Sequence, residues 1–244
     1  MRLTRVFVPA TLVPDTDVRL PDAAANHVGR VLRLREGAVI IAFDGSGNDH
    51  RCEVLAVKGD EVQVRVGPRM AGMPESPLRI TLVQAVSRGE RMDWTLQKAT
   101  ELGVHGIVPV LSSRSVVRLD DKQAAKKLRH WQAIVAGACE QCGRSFVPEL
   151  RVPQELSRFL ATSTREGQRF VLSPSGPASL AGLTSVGTRV ELLIGPEGGL
   201  DDAELERAAA AGFTPVRLGP RVLRTETAGI VALTVLQALW GDLT

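Results

Sequence analysis

The chain has 244 residues, 44% hydrophobic and 23% charged, with a formal net charge of +3, the make-up of a globular protein with one large or two modest domains. No apolar run reaches the roughly eighteen residues of a membrane span, and the opening Met1-Arg2-Leu3-Thr4-Arg5 lacks the apolar core of a signal peptide. Three cysteines, an odd number, argue against a disulfide scaffold, so a cytoplasmic protein is expected, and a charge this near balance excludes nucleic-acid binding by a global field, leaving local basic patches.

Residues 1–70 read as short strands at Arg5–Val8, Val39–Phe43, Arg51–Val57 and Glu61–Val66, with turns at Asp44-Gly45-Ser46-Gly47-Asn48 and Lys58-Gly59-Asp60-Glu61. One helical stretch lies near Ala23 to Leu32. Many short strands with tight turns predict a small β-barrel. Three prolines and two glycines between Gly67 and Pro77 mark a linker, giving domains 1–70 and 75–244. Beyond it strands and helices alternate. Strands are predicted at Arg79–Val86, Ile107–Val110, Glu149–Val152, Arg169–Leu172, Glu191–Ile194 and Pro215–Leu218. Helices are predicted at Met92–Leu102 (stopped by Gly103), Asp120–Cys142, Gln154–Ala161, Ala203–Ala211 and Ala228–Trp240. That alternation predicts an α/β domain with a mainly parallel sheet. The lone Cys139-x-x-Cys142 falls in a helical pattern with Leu128, Trp131, Val135 and Ala138 at spacings of three and four, the pattern of core cysteines rather than of a metal or redox pair.

The chemistry concentrates in two loops. The strand ending at Ile194 runs into Gly195-Pro196-Glu197-Gly198-Gly199-Leu200, and a helix begins near Asp201. Glycine lets a backbone approach a ligand, proline fixes the turn, and a helix N-terminus offers free N–H groups. Leu218-Gly219-Pro220-Arg221-Val222-Leu223-Arg224-Thr225-Glu226-Thr227-Ala228 repeats that order of strand, glycine, loop and helix. Neither loop fits a phosphate-binding Gly-Lys-Ser/Thr or a Gly-x-Gly-x-x-Gly pattern. Read by themselves, they are either walls of a small-molecule pocket in an open α/β sheet or tight strand-end turns. No Ser/His/Asp set, carboxylate pair or metal-ligand set stands out among the remaining residues.

These two segments resemble the cofactor loops of the SPOUT class of S-adenosylmethionine-dependent RNA methyltransferases, and in detail the RsmE family of 16S rRNA (uracil-N3)-methyltransferases. Arg88-Gly89-Glu90-Arg91-Met92-Asp93-Trp94, Gln97 to Val104, Ser112-Ser113-Arg114-Ser115-Val116 and Glu140-Gln141-Cys142-Gly143-Arg144 are similar to its later signatures. Arg5-Val6-Phe7-Val8 and Asn26 to Arg33 resemble its RNA-binding domain. The likeness spans nearly the whole chain. It departs at Arg88, where lysine is expected, and at Cys142, where another small residue is usual.

The resemblance implies a PUA-like β-barrel followed by a trefoil-knotted SPOUT domain, S-adenosyl-L-methionine as cofactor, no metal, a homodimer, and N3 of a uridine in 16S rRNA of the small ribosomal subunit as target. A tRNA 2′-O target and a non-catalytic assembly factor are the alternatives. Backbone groups of Ile194, Gly195, Pro196, Glu197, Gly198 and Gly199 and of Leu218, Gly219 and Leu223, with Thr225, would hold the cofactor. Leu172 and Ser173 would form a third wall, and Leu172 and Leu223 would pack on the adenine. Glu197 either faces the cofactor or caps its own loop.

The neutral imide nitrogen of uracil has no free lone pair, so its proton must be taken by a base or its anion held by a cation. Arg224 and Glu226 are the candidates, unless they form a structural ion pair with each other or with a neighbouring subunit. Phosphate contacts require basic side chains on one face. Arg2, Arg5, Arg30 and Arg33, with Arg88, Arg91, Arg114 and Arg144, are the choices, and His27 is either an RNA contact or packing. Absent tyrosine and six phenylalanines give little support to base stacking on aromatic platforms. Helix Ile230–Trp240 is expected at a subunit interface or in the core.

Overall fold

A computed structural model describes residues 3–164 and 167–243; Arg2, expected to meet RNA, lies outside them. The chain forms two compact units. One contains residues up to Glu75 together with Ala136–Val147, and the other contains Ser76–Val135 and the chain from Pro148.

The first unit holds strands β1 (Arg5–Phe7), β2 (Asp17–Arg19), β3 (Val39–Phe43), β4 (Asn48–Lys58), β5 (Glu61–Arg65) and β6 (Arg69–Ala71), with helix α1 (Asp22–Asn26) between β2 and β3. They form one sheet in the order β1-β3-β4-β5-β2, with β6 pairing β4 and β1–β3 parallel. Among the described residues no ladder joins β1 to β2. The alternation of β5, exposed at Glu61, Gln63 and Arg65 and buried at Val62 and Val64, puts one face on a core of Val6, Leu20, Val28, Ile40, Val54 and Val64. The glycine turn expected between β3 and β4 is present, with Gly45 and Gly47 at φ of 88° and 92°. Beyond α1 the helix widens into a π-helical turn, His27–Val31, so the predicted helix Ala23–Leu32 is in fact two kinds of helix.

Two expectations change here. The segment read as a linker contains β6, whose Arg69–Ala71 pairs with Asn48–His50; its prolines flank the strand instead of dissolving it. The end of the long helix, expected in the second domain, also packs in this unit. Arg144 is 2% exposed and ion-paired with Glu75. Ser145 and Arg5 both bond Asp49, and Glu140 accepts from the Phe7 N–H at 2.8 Å. Gly72 lies so close that an added Cβ would stand 2.4 Å from Ser145 Oγ, so a side chain there would break the contact. Burial pushes the Asp49 carboxyl up, but hydrogen bonds from Arg5 and Ser145 outweigh it and hold the group below its usual range.

In the second unit come strands β7 (Arg79–Ala85), β8 (Gly106–Leu111), β9 (Glu149–Leu150), β10 (Gln154–Glu155), β11 (Gln168–Leu172), β12 (Ala178–Ser179), β13 (Arg189–Ile194) and β14 (Thr214–Arg217). Its helices are α2 (Glu90–Glu101), α3 (Asp121–Cys142, which ends in the first unit), α4 (Leu156–Thr162), α5 (Asp202–Ala210) and α6 (Thr225–Trp240). All eight strands pair in parallel, in the order β10-β8-β7-β13-β11-β14-β12 with β9 on β8.

Helices cover both faces, as near-continuous burial of β7, β8 and β13 requires. Val83, Val108, Leu156, Phe159, Leu193, Ala208 and Phe213 form the core towards α4 and α5. Buried Met92, Leu96, Ala232, Leu233 and Leu236 come from α2 and α6, which pack together. The buried face of α6 is therefore core, and Leu239, 50% exposed, is off that face. Gly103, at φ 76°, ends α2 as predicted. Cys139 is fully buried and Cys142 partly so, and burial pushes the Cys139 thiol up to about 12.

Candidate active site

Strands β13, β11 and β14 are adjacent and parallel, so their C-terminal ends open on one edge of the sheet. There the three following loops meet around a cavity of about 490 Å³. This is where an open parallel sheet binds ligands.

Leu172, Ser173 and Pro174 supply one wall, Ile194, Gly195, Pro196, Glu197, Gly199 and Leu200 the second, and Leu218, Gly219 and Arg221 to Glu226 the third. Thirteen of the fourteen residues expected here for cofactor or catalysis line the cavity. Gly198 does not. Its carbonyl accepts from Arg114 Nη1 at 3.1 Å, and a Cβ on it would stand 3.3 Å from Arg114 Cβ, so it packs on the neighbouring loop rather than on a ligand.

Each wall is fixed locally. The first loop closes a turn through Gly199 N–H to Pro196 O at 2.9 Å, with Gly199 at φ 69°, a conformation that favours glycine. α5 then starts with a reciprocal cap: Asp201 accepts from the Glu204 N–H at 2.7 Å and Glu204 from the Asp201 N–H at 3.0 Å. Ser113 donates to Asp201 at 2.7 Å, and that bond first of all holds the Asp201 carboxyl below its usual range. The third wall is tied to the second by Thr225, whose hydroxyl donates to Gly195 O at 2.6 Å.

The charged groups are unevenly partnered. Arg91 donates to Glu197 at 3.0 Å, and its Nε stands 3.8 Å from Glu226 Oε1. Glu197 thus faces the cavity instead of capping its own loop. Glu226, its side chain 14% exposed, lies in the first turn of α6, and its Oε2 has no hydrogen-bond partner among the described residues. Arg224 is exposed at the N-cap of α6. Among the described residues it forms no ion pair, so the alternative reading of a structural Arg224–Glu226 pair is not met; Glu226 lies beside Arg91 instead.

Sequence reasoning missed Leu205 and Val216 as lining residues, whereas Pro174 directly follows the predicted third wall and Leu200, Arg221, Val222 and Ala228 lie in the two loops it singled out. Leu205 and Val216 carried no signal. Arg91, expected to meet RNA, lines the cavity. Of the other basic choices His27, Arg33, Arg88 and Arg114 are exposed, and Arg30 is exposed but paired with Asp60. Arg5 and Arg144 cannot serve as phosphate contacts in this fold. The Arg5 side chain is 11% exposed and gripped by Asp49, and Arg144 is buried against Glu75. Among the described residues no helix is long and apolar enough to cross a membrane and no group of three metal-ligating side chains forms.

Comparison with known proteins places this geometry. Residues 74–237 match an RNA methyltransferase domain family, and residues 20–67 an RNA methyltransferase PUA domain family. Ribosomal RNA small subunit methyltransferase E of Buchnera aphidicola is 33% identical over 99% of this chain and 98% of its own. The Bacillus subtilis protein of that name is 32% identical over 86% of each. Among solved structures, ribosomal RNA small subunit methyltransferase E from Neisseria gonorrhoeae, bound to S-adenosyl methionine, is 38% identical with a TM-score of 0.91 and full coverage of both chains. A putative methyltransferase from Legionella pneumophila with bound cofactor SAM is 41% identical with a TM-score of 0.94, again over both full chains. The chain belongs to the ribosomal RNA small subunit methyltransferase E family of RNA methyltransferases.

Proposed function

We propose that this protein is an S-adenosylmethionine-dependent methyltransferase that modifies N3 of a uridine in 16S rRNA of the small ribosomal subunit. The observation that carries the reading is the convergence of three strand-end loops on one cavity, two of them the segments that resemble the family's cofactor loops. Relatives of the same architecture hold that cofactor.

The cavity suits such a group. Apolar Leu172, Leu218 and Leu223 offer a surface for a flat base, and glycine-containing loops leave backbone groups within reach. When bound, the cofactor supplies an electrophilic methyl group for in-line displacement, a reaction that asks mainly for alignment. The protein's part is the uracil. Glu226 Oε2, without a hydrogen-bond partner among the described residues, takes the N3 proton, and the Arg224 guanidinium stabilises the negative charge spread over the imide oxygens. Arg91 keeps Glu226 beside the cavity.

The finer features of the family complete the proposal. The PUA match supports a barrel-like RNA-binding role for the first unit, carried by Arg33, Arg30 and His27. The insertion of β13 between β7 and β11, both earlier in the chain, agrees with a knotted C-terminal passage. A cytoplasmic homodimer is proposed on the family resemblance.

The test is mass mapping of nucleosides in 16S rRNA from cells with and without the gene, followed by methylation of the unmodified small subunit by the purified protein. Loss of one N3-methyluridine, restored in vitro with S-adenosylmethionine, is expected. An unchanged 16S profile together with loss of a tRNA 2′-O-methyl group would overturn the target.

A further inference from the structure

We infer that Gln84 is a positioning residue for the cofactor loop, acting through Thr225 on Gly195. No motif marks Gln84. It lies in β7, opposite Ile194 in the β7–β13 register, and so beside the last residue before Gly195. It is 0% exposed in a strand otherwise buried through apolar side chains. An uncharged amide in such a place is costly unless its bonds are used.

They are used with a definite direction. Gln84 Nε2 donates to Ala85 O at 3.1 Å and to Thr225 Oγ1 at 2.9 Å. A carbonyl only accepts, so the nitrogen must face Ala85. Thr225 has one hydroxyl proton, and Gly195 O takes it at 2.6 Å. With one lone pair taken by Gln84 and its proton by Gly195 O, the hydroxyl cannot turn to another acceptor without losing a bond. Gln84 Oε1 is left with no partner among the described residues, 3.1 Å from where a Cβ on Gly229 would lie. A side chain chosen for packing alone would not leave a buried acceptor unmet. The donor end is what this position requires, and a Glu could not supply it.

The chain Gln84–Thr225–Gly195 thus joins the middle of the sheet to the N-terminus of α6 and to the glycine loop. Gly195 and Thr225 line the cavity and Gln84 does not. The inference rests on reading that cavity as the S-adenosylmethionine site.

The test is calorimetric affinity for S-adenosylmethionine beside the KM for small-subunit RNA, in the full chain. Gln84→Met keeps the length and removes the donor. It should raise the cofactor Kd about tenfold with the RNA KM unchanged and the melting temperature within a few degrees of wild type. Thr225→Val should do the same, Thr225→Ser, which keeps the hydroxyl, should recover most of the affinity that Val loses, and Gln84→Met/Thr225→Val should be no weaker than the worse single variant. Wild-type cofactor affinity in Gln84→Met, or a double variant as weak as the product of the singles, would overturn the inference. If Gln84→Met fails to fold, the Thr225 pair decides: equal affinity of the Ser and Val variants overturns it. No binding to the wild-type chain would strike the reading of the cavity itself, and the inference with it.

Discussion

Arg91 Nη1 donates to Glu197 Oε1 at 3.0 Å, joining the first turn of α2 to the loop that follows β13. The two residues are 106 positions apart, and the same guanidinium lies beside Glu226. A side chain that the sequence offered as an RNA contact thus belongs to the cavity wall. Its role follows from being shared between a carboxylate of the loop after β13 and one in the first turn of α6.

Removing that shared cation should cost function more than stability. Arg91 and Glu197 are 44% and 28% exposed, and pairs this open contribute about 1 kcal/mol or less. Arg91→Gln is expected to melt within ~2 °C of wild type yet turn over more slowly, because Glu226 loses its neighbour. A melt lowered in proportion to the activity loss would make the pair structural.

Arg224 tests the chemical step. Arg224→Ala should lower the single-turnover rate about a hundredfold and leave cofactor affinity nearly intact, since the residue is exposed and has no ion pair among the described residues to lose. Arg224→Lys should recover part of the rate, having the charge without the planar fork. Raising the pH should rescue both, because solution then supplies more of the uracil anion. A rate defect that ignores pH would remove Arg224 from catalysis.

Gly198 lies against Arg114, outside the cavity. Gly198→Val should therefore weaken cofactor binding by displacing the loop, not by filling the ligand's space, and Arg114→Gly in the same chain, which removes the nearest atom, Arg114 Cβ, should restore much of it. Calorimetry of the two singles and the double decides, since a side chain inside the pocket would not be relieved by trimming Arg114.

The arginines of the first unit should separate by burial. Arg33→Ala, at an exposed site, should weaken RNA binding and reduce the salt slope by about one phosphate. Arg5→Ala and Arg144→Ala should instead destabilise the fold by about 3 kcal/mol, because each leaves a partly buried carboxylate unpaired. The Arg5–Asp49 contribution carries a pH signature. The folded carboxyl titrates below its ordinary value of 3.8, so this stability is complete above that value and disappears as pH falls through the folded one. Denaturation of wild type and Asp49→Asn at pH 7 and at pH 3 should show the difference shrinking in acid.

Local order was written in the sequence. Alternation along Glu61–Arg65, the glycines between β3 and β4, Gly103 after α2, and the glycine loops after β13 and β14 declared themselves. Their causes act within a few residues: side-chain period, positive φ, missing Cβ. The cavity loops could be named for the same reason, since backbone access and helix starts are local properties. What only tertiary structure decided was partnership. Arg5, Arg91 and Arg144 look alike in sequence, yet one is gripped by Asp49, one serves the cavity and one is buried on Glu75. β6 hid among prolines because its pairing partner on β4 is remote. Gln84 was silent because its meaning lies in Thr225, 141 positions later. A charge or an amide acquires its role from the groups that desolvate and bond it, and packing brings those groups from distant parts of the chain.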